Sequence, residues 1–226
     1  MKIKLVVLAG VMLVVVMTSC SQDDGITYSC NKEIDRWVKS NLDEIQEMTT
    51  VEFLEFNDVA TQRAVYSAFS IEQKQSVWLN KIENILQFDW TEKEREHIES
   101  LLLVIKNSDF FGVKDDVVKD QFYLAAYKWH EYAEEELGWS KEIIYAISGT
   151  PNEVYKKNNL LQVSIETQKE QPSTRNPYCY CIDWHNYYDD CINYGFTLHC
   201  VRDFNMCYPE EACGWFWGME CNGQCA

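Results

Sequence analysis

Eight of the ten cysteines in this 226-residue chain fall between Cys179 and Cys225; only Cys20 and Cys30 lie outside that stretch. Sulfur at this density is either a disulfide framework in an oxidising compartment or a set of thiolate metal ligands. The start of the chain chooses between them. Lys2 and Lys4 precede an apolar run over residues 5–17, and Thr18 and Ser19 follow it. A charged start, an apolar run too short to span a bilayer with ease and a pair of small residues make a secretory signal over 1–19. Export favours disulfides, so Cys179, Cys181, Cys191, Cys200, Cys207, Cys213, Cys221 and Cys225 are expected to pair among themselves. Cys30 is then the odd one, either free or paired with the tail or another chain.

Zinc is the rival use of these residues. Cys179, Cys181 and His185, or His199, Cys200 and Cys207, would supply thiolates and imidazoles, but the paired C-x-x-C knuckles of zinc fingers are missing. No metal and no cofactor are expected. Cys179 and Cys181 stand too close to bridge each other and should reach different partners.

Met17-Thr18-Ser19-Cys20 resembles a bacterial lipobox, which implies that Cys20 is acylated and becomes the mature N-terminus, followed by a tether over 20–30. The membrane link is then the lipid alone, in the outer membrane, on its periplasmic face or the cell surface. Ser21-Gln22-Asp23-Asp24 is similar to the acidic tetrapeptides that route lipoproteins outward in some Gram-negative lineages. Lys2 and Lys4 leave with the leader, so the mature chain carries 18 basic against 36 acidic residues, a net charge of −18. That charge excludes nucleic acid and anionic membrane surfaces as partners.

Residues 31–167 read as an all-α body of about five to six helices. Ile34, Trp37, Val38, Asn41, Leu42, Ile45 and Met48 recur at spacings of three and four, which predicts one apolar stripe on a first helix. Thr49-x-x-Glu52, Ser70-x-x-Gln73 and Thr91-x-x-Glu94 each match a capping box and predict three helix starts. Asp115 or Asp116 opens the longest helix, which stops at Gly138, and a last helix over 140–148 stops at Gly149 before Pro151. Residues 160–165 are the one stretch with a strand-like pattern. The segment QKEQPSTRNP over 168–177 holds two prolines and nothing apolar to bury, and reads as a linker.

The body offers no convergent catalytic pattern. His130 and Glu134 stand four apart on one helix face and are expected to be a solvated pair, and His97 an exposed residue on a charged first turn. The acidic run 134–136 continues a helix instead of making a calcium loop. No Gly-rich phosphate loop or nucleophile elbow occurs. The chain is therefore read as non-enzymatic. Trp37, Trp78, Trp90, Trp129 and Trp139 at helical spacing are expected to fill a core in preference to lining a ligand groove.

The tail over 178–226 is a third unit, small and irregular. From Asn176 onward there are 51 residues, of which eight are Cys, twelve are Tyr, Phe or Trp and none is Lys. Bridges of about 2–4 kcal/mol each would hold a piece with so small an aliphatic core. Cys179-Tyr180-Cys181, the Cys213-Gly214 pair with Trp217, and Cys221-Asn222-Gly223-x-Cys225 resemble the cysteine pattern of fulvocin C, a small disulfide-rich bacteriocin. The layout resembles the bacteriocin fulvocin C-related lipoprotein family. Gln62-Arg63-Ala64-Val65-Tyr66, then Ser70-x-Glu72-x-Lys74 and Trp78, are similar to that family's helical segment.

Here, however, the tail hangs on a large body tethered by lipid, and seven acidic residues against Arg202 alone give it a charge of −6. Bilayer-disrupting peptides are basic amphipaths, so membrane lysis is disfavoured. Two functions are left: a lipid-anchored binding module, in which Trp184, Trp215, Phe216 and Trp217 contact a protein or glycan partner, or a bacteriocin-like precursor whose tail is released by a cut in the linker.

Overall fold

The computed structural model describes residues 26–112, 115–157, 160–163, 180–181, 191, 200–202 and 212–225. The leader, Cys20, the linker, Cys179, Trp184 and Cys207 lie outside these residues. Among the described residues are nine α-helices: α1 Lys32–Ser40, α2 Leu42–Glu47, α3 Thr50–Leu54, α4 Val59–Ser67, α5 Ile71–Ile85, α6 Glu92–Lys106, α7 Ser108–Gly112, α8 Asp116–Glu135 and α9 Lys141–Ser148. The body is mostly helical, as its apolar spacing predicts, with more and shorter helices than expected.

All three capping boxes form, with Thr49, Ser70 and Thr91 each accepting from the N–H three residues on while that residue's side chain accepts in return. Gln73 does more than close its box. Its Nε2 also donates to the carbonyls of Ile45 (2.9 Å) and Met48 (3.0 Å), which ties the end of α2 to the start of α5. Asp115 caps α8. Gly138, at φ +66, lets the chain turn so that the Leu137 and Trp139 N–H groups reach back to Tyr132 and Ala133.

The single first helix expected over 34–48 is instead two. At Asn41 the backbone leaves the helical region (φ −120, ψ 20) and its side-chain amide donates to the Trp37 carbonyl at 2.6 Å. A short amide that competes for backbone partners ends the helix although the stripe continues past it. Val38 and Ile45 are buried, whereas Trp37 is 41% exposed, resting edge-on against Phe56.

Two small sheets lie among the described residues. Strands β1 Val154–Lys157 and β2 Leu160–Val163 pair antiparallel, so the expected strand is present and has a partner that its two lysines concealed. In the tail, β3 Tyr180–Cys181, β4 Cys200–Arg202 and β5 Gly223–Cys225 form an antiparallel sheet with β5 in the middle. A Cys181–Cys200 disulfide joins the outer strands across it. The bridge crosses at Gly223, where a methyl group would stand 2.6 Å from the Cys200 sulfur.

Among the described residues one hydrophobic core joins the helices to the end of the tail. Trp78, Tyr66, Phe53, Ile82, Ile98 and Leu101 are buried in it together with Trp215, Phe216 and Trp217 of the tail. The expectation of a separate unit from residue 178 is therefore corrected for residues 212–221, which belong to the core of the body. No helix among the described residues is long and apolar enough to cross a membrane.

Candidate functional site

Side chains from distant parts of the chain converge on the hairpin over 213–221. Cys213 and Cys221 are joined by a disulfide, and the Cys213 and Met219 backbones exchange hydrogen bonds of 3.1 and 3.0 Å inside it. Within this loop Trp215–Trp217 makes one 3-10 turn, closed by Trp217 N–H to the Gly214 carbonyl and Gly218 N–H to that of Trp215. The turn is strained. Ala212, Phe216 and Trp217 all have positive φ (86, 53 and 51), a region that costs a residue with a side chain on the order of 1 kcal/mol or more. Gly214, at φ +67, is needed on a second count, because a methyl there would stand 2.5 Å from the Met219 sulfur.

Something must hold so strained a loop, and the body does. Trp78 Nε1 donates to the Tyr66 hydroxyl (2.9 Å), which donates in turn to the Phe216 carbonyl (2.8 Å). The Phe216 ring meets Trp78 edge-on at 5.0 Å and Trp217 meets Tyr66 at 5.6 Å. The Arg63 guanidinium lies 5.3 Å over the Trp217 ring and reaches the Cys213 sulfur with Nη1 at 3.6 Å. Trp215 packs among Phe110, Trp129 and Phe216. Rings of this size bury on the order of 150–250 Å² each. At ~25 cal/mol per Å² the three give a gross stabilisation on the order of 10 kcal/mol, an upper figure that still exceeds the strain.

A second convergence lies beside the hairpin, on residues 149–152. Trp217 Nε1 donates to the Gly149 carbonyl at 2.9 Å, Gln62 Nε2 to Asn152 Oδ1 at 3.0 Å, and the Lys81 ammonium to the Asn152 carbonyl. Lys81 is buried, and loss of water around its charge pulls its pKa down to about 7, with Glu153 pulling the other way. Lys74, also buried, stands 5.5 Å over the Tyr66 ring. The polar groups of this region thus bind the chain to itself.

The candidate residues fare unequally. Trp215, Phe216 and Trp217 are brought together but buried, so the expectation that they contact a partner is corrected: a ring inside the core has no face left for one. Cys181 is joined to Cys200 and Cys213 to Cys221, while Cys30 and Cys191 are each disulfide-bonded, which settles Cys30 as not free. The Cys181, Cys191 and Cys200 sulfurs lie within 4.8 Å of one another, the geometry of a metal cluster. All three are in disulfides and none is a thiolate. Cys225 lies in β5.

Both histidine expectations are corrected. His130 is buried beside Trp129 and not solvated. His97 stacks on Trp129 at 4.5 Å, its Nε2 is 3.0 Å from the Trp129 carbonyl, and Trp139 and Tyr132 flank it. Burial lowers the pKa of His97, opposed by the hydrogen bond to that carbonyl. The socket, residues 62–81 with 149–152, is the part that spacing arguments missed. Its signal was the run Gln62-Arg63-Ala64-Val65-Tyr66, five consecutive residues that α4 buries on every side. The chain matches no protein-family model, no curated protein and no solved structure.

Proposed function

We propose that this protein is a non-enzymatic, lipid-anchored exported protein of the outer membrane, held through Cys20, whose disulfide-linked tail recognises a protein or glycan. The observation that carries this reading is the division of labour within the tail. Its aromatic hairpin is spent on anchorage in the body, while the disulfide-linked sheet keeps Val201 (47% exposed) and Arg202 on the surface, on the outer strand of the sheet among the described residues. A sheet edge held by a bridge is a rigid contact surface, which lowers the entropic cost of recognition. Disulfides are what an exported chain uses. The toxin-precursor reading is the weaker one, because the hairpin that would have to leave is part of the core.

Two experiments test the proposal. Cys20→Ser should move the protein from the membrane fraction to the soluble fraction. Val201→Asp with Arg202→Glu should abolish binding of the mature, oxidised protein to an array of envelope glycans and surface proteins, with thermal unfolding unchanged. Binding equal to that of the natural chain would sink the tail-recognition reading, and membrane retention of the Cys20 variant would sink the lipid anchor.

A further inference from the structure

We infer that Cys181, Cys191 and Cys200 form a thiol–disulfide exchange site, at which an outside thiol carrying negative charge is captured by Cys200 and the exchange is relayed inward through Cys181 to the bridge of Cys191. The inference does not rest on the tail-recognition reading above.

Proximity, burial and charge carry it. The Cys191 sulfur lies within 4.8 Å of both sulfurs of the Cys181–Cys200 bridge, and Cys191 is itself disulfide-bonded. Two bridges therefore meet in one cluster, where a thiolate freed from one reaches the other by a small side-chain movement. Burial sets the direction. Cys181 and Cys191 are 0% exposed, whereas Cys200 is only partly buried, on the strand whose Val201 and Arg202 are exposed. Of the three sulfurs, an outside nucleophile meets that of Cys200 first. Charge selects the nucleophile. The register sets Cys181 and Arg202 opposite Gly223 from its two sides, so Arg202 shares the sheet face that the bridge crosses. It is the one basic residue from Asn176 onward, in a tail of charge −6, and draws an anionic thiol to this face while the rest of the tail repels it.

The steps balance without an oxidant or reductant beyond the thiol itself. Attack of the outside thiolate on the Cys200 sulfur forms a mixed disulfide there and breaks the bond to Cys181, which leaves as a thiolate. Enclosed beside the second bridge, the Cys181 thiolate attacks the Cys191 sulfur, forms a Cys181–Cys191 bond and expels the former partner of Cys191, whose thiolate takes a proton from water. Two protein bridges and one outside thiol become one mixed disulfide, one new bridge and one protein thiol. The covalent tie between β3 and β4 is thereby exchanged for one between β3 and Cys191.

The test treats the mature, oxidised protein with mercaptoacetate, an anionic thiol, quenches samples in acid at intervals, alkylates free thiols in denaturant and maps the non-reduced digest by mass spectrometry. The expected products are mercaptoacetate on Cys200, a Cys181–Cys191 link and one alkylated cysteine, the former partner of Cys191. An alkylated Cys181 beside an intact Cys191 bridge would overturn the relay. An adduct on Cys181 in place of Cys200, or none on either, would overturn the inference at its first step. Arg202→Gln, a change at an exposed position that leaves every cysteine in place, should slow the reaction with mercaptoacetate by about threefold at low salt and leave that with the neutral mercaptoethanol unchanged. The difference should close in high salt. Equal slowing of both thiols, or of neither, would overturn the assignment of an anionic thiol.

Discussion

The helical body and the terminal hairpin hold their backbones by opposite means. In the body, most helix starts are satisfied by a side chain within one turn, as with Thr49 and Glu52, Ser70 and Gln73, and Thr91 and Glu94. Such local devices ask nothing of distant residues. In the hairpin, two adjacent aromatic residues and an alanine occupy positive φ, and the shape persists because a bridge and a socket surround it. Local strain there is offset by burial that only the whole fold provides. The difference teaches that the stability of the body depends on the tail, although the tail contributes few residues to it.

The largest expected effect tests that dependence directly. Phe216→Ala or Trp217→Ala should cost about 3–5 kcal/mol, since each empties a ring-sized space in the shared core. Far-UV circular dichroism, which reports helices, should show the loss as one lower melting transition. A body that melts as before while the tail alone loosens would restore the picture of two separate units.

Next is Gly223→Ala. The added methyl would meet the Cys200 sulfur at 2.6 Å and the Val201 carbonyl oxygen at 2.9 Å, so the Cys181–Cys200 bridge has no room to cross β5. A loop of 19 residues closed by a disulfide contributes about 3 kcal/mol. Mass spectrometry after thiol alkylation should find two additional free thiols, with the helical melt much less affected than by Phe216→Ala. Full retention of the bridge would show that the sheet adjusts more easily than its packing indicates.

Lys81 separates the two regions by pH. Its pKa is about 7 in the folded chain against 10.5 in the unfolded one, so between these values the unfolded state binds more protons. The folding penalty from this group is therefore complete below about pH 7 and fades as pH rises toward 10. Stability should climb with pH over 7–9.5 by at most about 1.4 kcal/mol per unit from this site. In Lys81→Met that slope should be absent in denaturant titrations. A slope that survives the substitution would assign the effect elsewhere.

How much of this was legible in the sequence follows the same division. The capping boxes, the stop at Gly149 and the disulfide-rich tail could be read because each depends on residues within a few positions of one another. Asn41 could not, since an apolar stripe carries on regardless of a side chain that takes its own backbone as partner. His97 was misjudged because its setting is made by Trp129 and Trp139, more than thirty residues away, and His130 because the spacing within α8 does not say which of its faces is buried. The hairpin was misjudged for a related reason. Glycine, cysteine and tryptophan in close succession describe a displayed loop and a buried plug equally well, and what decides is a socket 150 residues away. The motif around Gln62, Tyr66 and Trp78 and the motif around Cys213 were both visible, but not that each is the other's contact.

Within the hairpin, the indole groups offer a finer test. Trp217 Nε1 donates to Gly149, whereas Trp215 Nε1 has no partner among the described residues. Trp217→Phe should cost about 1–3 kcal/mol, because a buried carbonyl loses its donor. Trp215→Phe should cost less, as only ring area is lost and an unsatisfied donor goes with it. Equal costs in urea titrations would show that ring volume, not hydrogen bonding, sets the hold of the socket.

The smallest effect belongs to the rim. Lys119 and Glu220 pair at 2.5 Å, and the carboxylate's hydrogen bond holds the Lys119 pKa above its ordinary value. That contribution is present at neutral pH and is lost only as pH rises through the raised value. Glu220 is largely exposed, so water and salt screen the pair, and Glu220→Gln should change stability by less than about 1 kcal/mol. The change should shrink further in high salt, which screens exposed charges but leaves buried rings untouched. A larger, salt-independent loss would mean that Glu220 acts as part of the plug itself, and would move the boundary of the socket outward from Trp217 to the face of α8.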